Sequence, residues 1–575
     1  MEKISVEKLT FTYPLCETPA LKEISFQIRQ SEFIVLCGKS GCGKSTLLKH
    51  LKKNLIPYGK RTGEIYYEGT EIEQLNDRKS ASAIGFVQQN PDNQIVTDTV
   101  WHELAFGLEN LGLPVKVIKR RVAEMTSYFG IQTWFRKKVN QLSGGQKQLL
   151  NLASIMAMQP ELLILDEPAS QLDPIAASDF LETVYRINRE LGTTVIISEH
   201  RLEEVFPMAD RVMVMDQGKI LAFDNPGKIG AVLAGDKPGG EHPMFYGLPC
   251  VMRMFQHTLR DGEQSPLTIR DGRLKMEALL AACPKEKFPN ICKEAFPENK
   301  YRRKHALRKG EKTDSAIVLK DLWFRYERDM PDVLRGLSFE VGKGEWYCLL
   351  GGNGTGKSTT LKAICGIIKP QRGTALVDGI KVEKGHEKEL FNHRLAMVPQ
   401  DPQALFTEIT VEEELYEAMS DMEIQEEEKI KKIEAMLDLM EIRHLRKANP
   451  YDLSGGEQQR LAIGKILLLE PTVLLLDEPT KGLDPFFKRT LADILGGLRD
   501  QGMTIFMVSH DIEFCASYGD TCAMFFDGEL VSEADPADFF AGNNFYTTAA
   551  NRIVRKWNPK LITCEEVQKW IREIM

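Results

Sequence analysis

Residues 38–46 read GKSGCGKST, and residues 351–359 read GGNGTGKST. Each stretch closes an apolar run, FIVLCG at 33–38 and WYCLLG at 346–351, and each runs on with helical spacing, KSTLLKHL and KSTTLKAI. This text predicts strand, loop, helix. Glycines allow successive backbone N–H groups to turn onto phosphate oxygens at the positive end of the helix dipole. The first cradle comprises Gly38, Ser40, Gly41, Gly43, Lys44, Ser45 and Thr46; the second comprises Gly351, Asn353, Gly354, Gly356, Lys357, Ser358 and Thr359. Lys44 and Lys357 place charge on the β- and γ-phosphates, and the hydroxyls of Ser45 and Ser358 suit Mg²⁺. Cys42 reads as a small spacer open to alkylation. One loop binds one nucleotide, so a chain with two loops needs an explanation.

Further motifs accompany each loop in one order. The first half carries QQNPDNQ (88–94), LSGGQKQLL (142–150), LLILDEP (162–168) and SEHR (198–201). The second carries PQDPQALF (399–406), LSGGEQQRLA (453–462), LLLDEP (474–479) and SHD (509–511). Lys44 and Lys357 stand 313 residues apart, Glu167 and Glu478 311, and His200 and His510 310. Gln89 precedes Ser143 by 54 residues, and Gln400 precedes Ser454 by 54. Five motifs in one order at nearly one offset mark a tandem repeat. The expected boundaries are a first module at 1–226, a linker at 227–315, a second module at 316–545 and a tail at 546–575. The linker text is rich in Gly, Pro and charge, with a basic stretch from Tyr301 to Gly310 and room for a short helix in LPCVMRMFQHTLRDGEQSPLTI. It is either a spacer with limited structure or a small docking element.

The acids come next. In LLILDEP, four apolar residues form a buried strand that delivers Asp166 and Glu167 at its end. Adjacent acids can divide the work. Asp166 holds Mg²⁺ through its water shell, while Glu167 orients and deprotonates the attacking water. Asp477 and Glu478 repeat the pair. LSGGQ places Ser143, Gly144 and Gly145 ahead of a helix, as Ser454, Gly455 and Gly456 are in the second half; this makes a second anion-binding turn. A nucleotide already wrapped by the first loop leaves that turn either redundant or aimed at another nucleotide.

Composition narrows the class. The chain has 575 residues, 43% hydrophobic and 27% charged, with a net charge of −8. That is enough apolar material for full cores, and it lacks the basic footprint of a nucleic-acid binder. No run of about 18 apolar residues occurs, so any membrane span must come from another chain. The opening MEKISVEKLTF has no apolar signal region. Eleven cysteines without a C-x-x-C pair read as reduced thiols.

The order of phosphate loop, glutamine loop, LSGGQ, aspartate–glutamate strand and histidine resembles the ATP-binding cassette ATPases across both modules. The resemblance implies an α/β fold: two tandem P-loop NTPase modules, each a RecA-like core with an antiparallel β subdomain and an α-helical subdomain. It implies ATP and Mg²⁺ as cofactors. In that family two cassettes face head to tail, and ATP on one loop is capped by the other's LSGGQ. By resemblance, one site would hold Lys44, Ser45, Gln89, Asp166, Glu167 and His200, closed by Ser454, Gly455 and Gly456. The other would hold Lys357, Ser358, Gln400, Asp477, Glu478 and His510, closed by Ser143, Gly144 and Gly145. The resemblance makes Gln89 and Gln400 further Mg²⁺ ligands, sets His200 and His510 on the γ-phosphate, and stacks Tyr13 and Tyr326 on adenine. It sends Asp173 and Asp484 across the interface. Neither glutamate nor signature is lost, so two competent sites are expected.

The text NPDNQ…TV..E.AFGLENLGLP further resembles the energy-coupling factor branch of importers. That branch implies a transmembrane scaffold protein, a small membrane protein that captures a vitamin, precursor or metal ion, no nucleic acid, and a peripheral seat on the cytoplasmic face of the membrane. A soluble tandem-cassette ATPase acting on ribosomes is the alternative; its linker is long, basic and helical, whereas this one is broken by glycine and proline. The ending LITCEEVQKWIREIM has Thr563 and Glu566 as a capping box and Val567, Trp570, Ile571 and Ile574 on one helix face. That helix either packs on its own module or docks a second chain. The motif pairing predicts that Ser454→Arg impairs hydrolysis at the site holding Lys44 and spares the one holding Lys357, which site-resolved nucleotide trapping will read.

Overall fold

The computed structural model describes residues 2–14, 16–170, 172–235, 241–260, 262–282, 314–352, 354–420, 422 and 424–575. Two compact units divide the chain, 1–268 and 269–575. In the first, the strands Lys219–Asp224, Arg211–Asp216, Phe33–Gly38, Thr194–Ser198, Leu162–Asp166 and Ile84–Val87 lie side by side in that order. All neighbours are parallel except the first pair. FIVLCG, LLILD and TVIIS are buried at every position. A parallel strand covered on both faces has no solvent side to mark with polar residues, which is why these runs are continuously apolar.

An antiparallel sheet of Leu21–Arg29, Glu2–Thr12, Lys60–Tyr67 and Thr70–Glu71 packs on this one. Ile4, Val6 and Phe11 from the antiparallel sheet share one core with Ile34, Leu36, Ile164 and Ile196 from the parallel sheet. Helices Val100–Asn110, Val115–Tyr128 and Gly144–Ala157 pack together as the helical part, and the last of them also lies against strand Ile84–Val87.

The second unit repeats the plan. Its main sheet runs Leu395–Val398, Val473–Asp477, Thr504–Ser509, Trp346–Leu350, Thr521–Phe526 and Glu529–Ala534; its antiparallel sheet runs Leu334–Gly342, Ser315–Phe324, Arg372–Val377 and Ile380–Lys381. Val411–Glu417, Glu426–Leu439 and Gly455–Leu467 are the matching helices. Both units are α/β with an antiparallel β subdomain and a helical subdomain.

Each repeat then continues into a short helical extension. After the first, Pro226–Ala234 is capped by Asn225, Pro243–Gly247 forms a 3₁₀ turn and Cys250–Phe255 a helix. After the second, Pro536–Gly542 is capped by Asp535 and Ala549–Val554 by Thr548. A Phe-Tyr pair precedes the second helix in both, Phe245-Tyr246 and Phe545-Tyr546. Residues of 227–268 thus fold with the first unit. Ile269–Ala282 is a helix of the second unit, where Arg273 Nε–H donates to Arg552 O at 2.8 Å. Positions 283–313, including the basic stretch from Tyr301 to Gly310, lie outside the described residues.

The final helix, Cys564–Ile574, has the Thr563–Glu566 capping box, and Val567, Trp570, Ile571 and Ile574 are all buried. Just ahead of it, Ile562 joins the second unit's core. Its apolar face is covered within the folded chain. Trp570→Ala should cost about 3–5 kcal/mol of stability, measurable as an earlier denaturant transition; an unchanged midpoint would show that this helix contributes nothing to the fold.

Candidate active site

Both phosphate loops leave a fully buried strand and enter a helix, Lys44–His50 or Lys357–Ile364. A Cβ on Gly38 would sit 2.4 Å from Met215 O, and one on Gly351 2.4 Å from Phe525 O. The neighbouring strand therefore excludes any side chain there. Gly43 and Gly356 cap the helices at φ 103° and 111°, a backbone that favours glycine. Lys44 Nζ donates to Gly38 O at 3.0 Å and Lys39 O at 3.1 Å; Lys357 Nζ donates to Gly351 O at 3.0 Å and Gly352 O at 2.8 Å. Both ammonium groups are held at the mouths of their own loops. Gly41 and Gly354 adopt φ 76° and 73°. Ser40 is half-buried and Gly354 exposed, while Thr46 and Thr359 are buried. Asn353 lies outside the described residues. Cys42 is buried, and burial raises its thiol pKa. That corrects the reading of it as open to alkylation, because the thiolate is the reactive form.

The acids arrive from the strand next but one. Ser45 Oγ donates to Asp166 Oδ1 at 3.0 Å, and Ser358 Oγ to Asp477 Oδ1 at 3.2 Å. Burial raises both aspartates, and the serine hydroxyls partly offset it. A hydroxyl and a carboxylate meeting at the mouth of a phosphate loop are an oxygen-only donor set, which fits a hard cation such as Mg²⁺. Glu167 and Glu478 follow in left-handed backbone, φ 45° and 52°. A non-glycine residue there is strained, and here the strain turns each glutamate away from its aspartate.

The two glutamates have different company. His200 Nε2 lies 2.9 Å and Lys44 Nζ 3.6 Å from Glu167 Oε1, while Gln89 Nε2 donates to Glu167 Oε2 at 3.1 Å. Burial pushes Glu167 up, but His200 and Lys44 outweigh it and hold the carboxyl at about 2. In the second unit Lys357 Nζ lies 3.2 Å from His510 Nε2. The same ring nitrogen lies 3.1 Å from Glu478 Oε1, and the tautomer of the ring sets which of the two it bonds. Burial takes Glu478 up to about 7, against the His510 backbone N–H and Lys357. Gln400 is exposed beyond the end of its strand.

Ser143 and Ser454 each begin a helix with a reciprocal capping box, closed by Gln146 and Glu457. Ser143, Gly144, Ser454 and Gly455 are exposed, Gly145 is half-buried and Gly456 buried. Gly456 has no room for a side chain, since its Cβ would meet Gly482 O at 2.9 Å. Asp173 and Asp484 cap helices Pro174–Leu191 and Pro485–Asp500 in their own units. Tyr13 Oη is 3.0 Å from Thr46 Oγ1 and Tyr326 Oη 3.1 Å from Thr359 Oγ1, placing both rings beside their phosphate loops.

Comparison with known proteins fits this geometry. The ABC transporter family model matches residues 21–170 and 334–481. A Bacillus cereus protein named as an ABC transporter ATP-binding protein is 43% identical over 98% of this chain and 97% of its own length. The chain belongs to the ABC transporter family. It is a tandem double-cassette ATPase, the ATP-binding subunit of a transporter. A Streptomyces coelicolor protein of the same description is 31% identical over 96% of this chain and 98% of its own. The solved structure of cbiO1 from Clostridium perfringens, part of the ABC transporter complex cbiONQ, is 33% identical over 40% of this chain and 92% of that one, with a TM-score of 0.37.

Two glutamates of the cassettes, one of them the E of TV..E.AFGLENLGLP, were given no role by the motif reading. Glu103 Oε2 accepts from Val96 N at 3.1 Å and Thr97 N at 2.8 Å; Glu414 Oε1 accepts from Thr407 N at 2.5 Å and Glu408 N at 2.6 Å. Both glutamates are buried and both stand 14 residues after the loop glutamine. They fix the strip of chain beside Gln89 and Gln400. Their equal offset was the available signal. For the loops themselves, Gly38→Ala should cost about 3 kcal/mol from the backbone clash, and Gly41→Ala, which meets no atom within 4 Å, about 1 kcal/mol from left-handed strain. Denaturant titration of the nucleotide-free chain should rank them so; equal costs would refute the close-approach explanation.

Proposed function

We propose that this chain energises an importer of the energy-coupling factor type, binding ATP with Mg²⁺ on both of its phosphate loops. Lys44 and Lys357 hold the β- and γ-phosphates, with Ser40 and the loop glycines supplying donors. Ser45, Asp166 and Gln89 in one cassette, and Ser358, Asp477 and Gln400 in the other, hold Mg²⁺, which would neutralise phosphate charge when bound. Glu167 and Glu478 take the proton of the attacking water, and His200 and His510 hydrogen-bond the γ-phosphate. Tyr13 and Tyr326 stack on adenine. The signature turns at Ser143 and Ser454 cap the triphosphate carried by an opposing cassette. One observation carries the reading of two working sites. In each unit the loop serine touches the aspartate, and the histidine ring nitrogen lies within 3.1 Å of the glutamate.

The importer reading rests on the text NPDNQIVTDTVWHELAFGLENLGLP beside Gln89 and on the strips that Glu103 and Glu414 hold there. No described helix is long and apolar enough to cross a membrane. The spanning work falls to a transmembrane scaffold and a small membrane protein that captures a vitamin, precursor or metal ion, with this chain seated on the cytoplasmic face. Its acidic balance gives nucleic acid no footprint.

Glu167→Gln and Glu478→Gln should each trap ATP, and the pair together should lower turnover by about 10²–10⁴-fold, the range for a lost general base. Parental turnover in the double variant would refute the general-base assignment. For the importer, the chain should co-purify from native membranes with membrane proteins whose uptake activity requires its ATPase; recovery with ribosomes instead would overturn the reading.

A further inference from the structure

We propose that Glu203 and Glu513 are positioning residues that tie the histidine turn of each cassette to the helical extension that follows it. The inference rests on the reading of His200 and His510 above. Each glutamate stands three residues after its histidine, on the short helices Leu202–Val205 and Ile512–Tyr518. Glu203 Oε1 accepts from Cys250 N, and Glu513 Oε1 accepts from Ala549 N at 2.7 Å. Cys250 and Ala549 are the first residues of the second extension helix in their units. One contact therefore recurs in both cassettes, between segments 47 and 36 residues apart, although the extension texts share little beyond a Phe-Tyr pair.

The physics favours a mechanical link. A carboxylate on a backbone N–H is a charge-assisted bond, stronger than a neutral one. The histidine end is short: Leu202 N–H donates to His200 O at 3.1 Å and Ile512 N–H to His510 O at 3.0 Å. Movement of the glutamate is passed on over a single turn. The extension end is rigid. Asn551, fully buried, donates to Pro559 O at 2.7 Å and Leu561 O at 3.1 Å, and Thr547 Oγ1 donates to Phe540 O at 2.9 Å. In the first cassette Val251, Met252 and Phe255 are buried behind Cys250. The extension thus offers a fixed point from which the histidine is aimed at the catalytic glutamate.

The test uses the full chain and steady-state Mg·ATP hydrolysis. Glu203→Ala with Glu513→Ala should lower kcat about tenfold, as loss of a charge-assisted bond implies, with KM for ATP changed by less than about twofold. Glu203→Gln with Glu513→Gln keeps the acceptor oxygen and should recover most of kcat. Ala549→Pro removes the N–H at a helix position that accepts proline; it should reproduce the loss from Glu513→Ala, and the two combined should lose no more. Thermal melts separate function from folding. Parental kcat in the alanine pair, or a lowered melting point with kcat intact, would overturn the proposal, as would additive losses in the combined variant. His200→Ala with His510→Ala, run alongside, separates the two readings. Parental activity there would sink the histidine assignment itself, whereas inactive histidine variants beside fully active Glu→Ala variants would sink only the coupling.

Discussion

A carboxylate carried to the end of an apolar strand must be met by cations or N–H groups, or it takes up a proton. Each cassette meets that problem twice, in adjacent residues. Asp166 and Asp477 end a fully buried strand and turn to the loop serine. The next residue leaves the strand in left-handed backbone, so Glu167 and Glu478 face the other way, to the histidine. The proposed catalytic roles rest on this divergence, which sets the aspartate against the phosphate loop and the glutamate on the histidine side.

Sheet order, not chain order, makes these groups neighbours. The strand before the phosphate loop lies next to the strand before the histidine, which lies next to the strand before the acids, which lies next to the strand before the glutamine. All four run parallel, so their carboxyl ends open on one edge. Ligand chemistry in open α/β sheets gathers at that edge because every connecting loop of the right polarity is there. Residues as far apart in sequence as Ser45 and Asp166 then meet at 3.0 Å without any long side chain having to reach.

Much of this was legible in the text for a physical reason. Strands buried on both faces are uninterrupted apolar runs, and the loops at their ends carry residues that backbone geometry restricts, such as Gly38, Gly43 and Gly356. The extensions were less legible for the opposite reason, although the short helix Cys250–Phe255 falls in the text that left room for one. Their helices are short, capped by Asn225, Asp535 and Thr548, and separated by Gly, Pro and charge, so the first read as linker and the second was divided between module and tail. The burial of Glu103 and Glu414 was hidden because a glutamate on a helix ordinarily belongs to a solvated face; here the loop N–H groups draw it inward. The burial of Cys42 depends on packing against Gly38, which no spacing rule conveys.

The different company of the two glutamates goes with a difference in the residue before each histidine. Cassette one has Glu199 before its histidine, where cassette two has Ser509. Glu199 is buried, accepts from Ala169 N at 2.9 Å and takes the His200 N–H at 3.2 Å. Burial raises it to about 7 even so. With that N–H occupied, Glu167 is left to Lys44, Gln89 and the His200 ring. Ser509 instead accepts from Asp511 N at 3.0 Å, and the His510 N–H goes to Glu478 Oε2 at 3.0 Å. Glu478 thus accepts its histidine's backbone N–H, and Lys357 Nζ lies 3.2 Å from the His510 ring nitrogen. The two modules share acids, lysine and histidine, yet a carboxylate in one stands where the other has a hydroxyl, one step before the histidine, and the histidine's backbone N–H goes to Glu199 in the first and to Glu478 in the second.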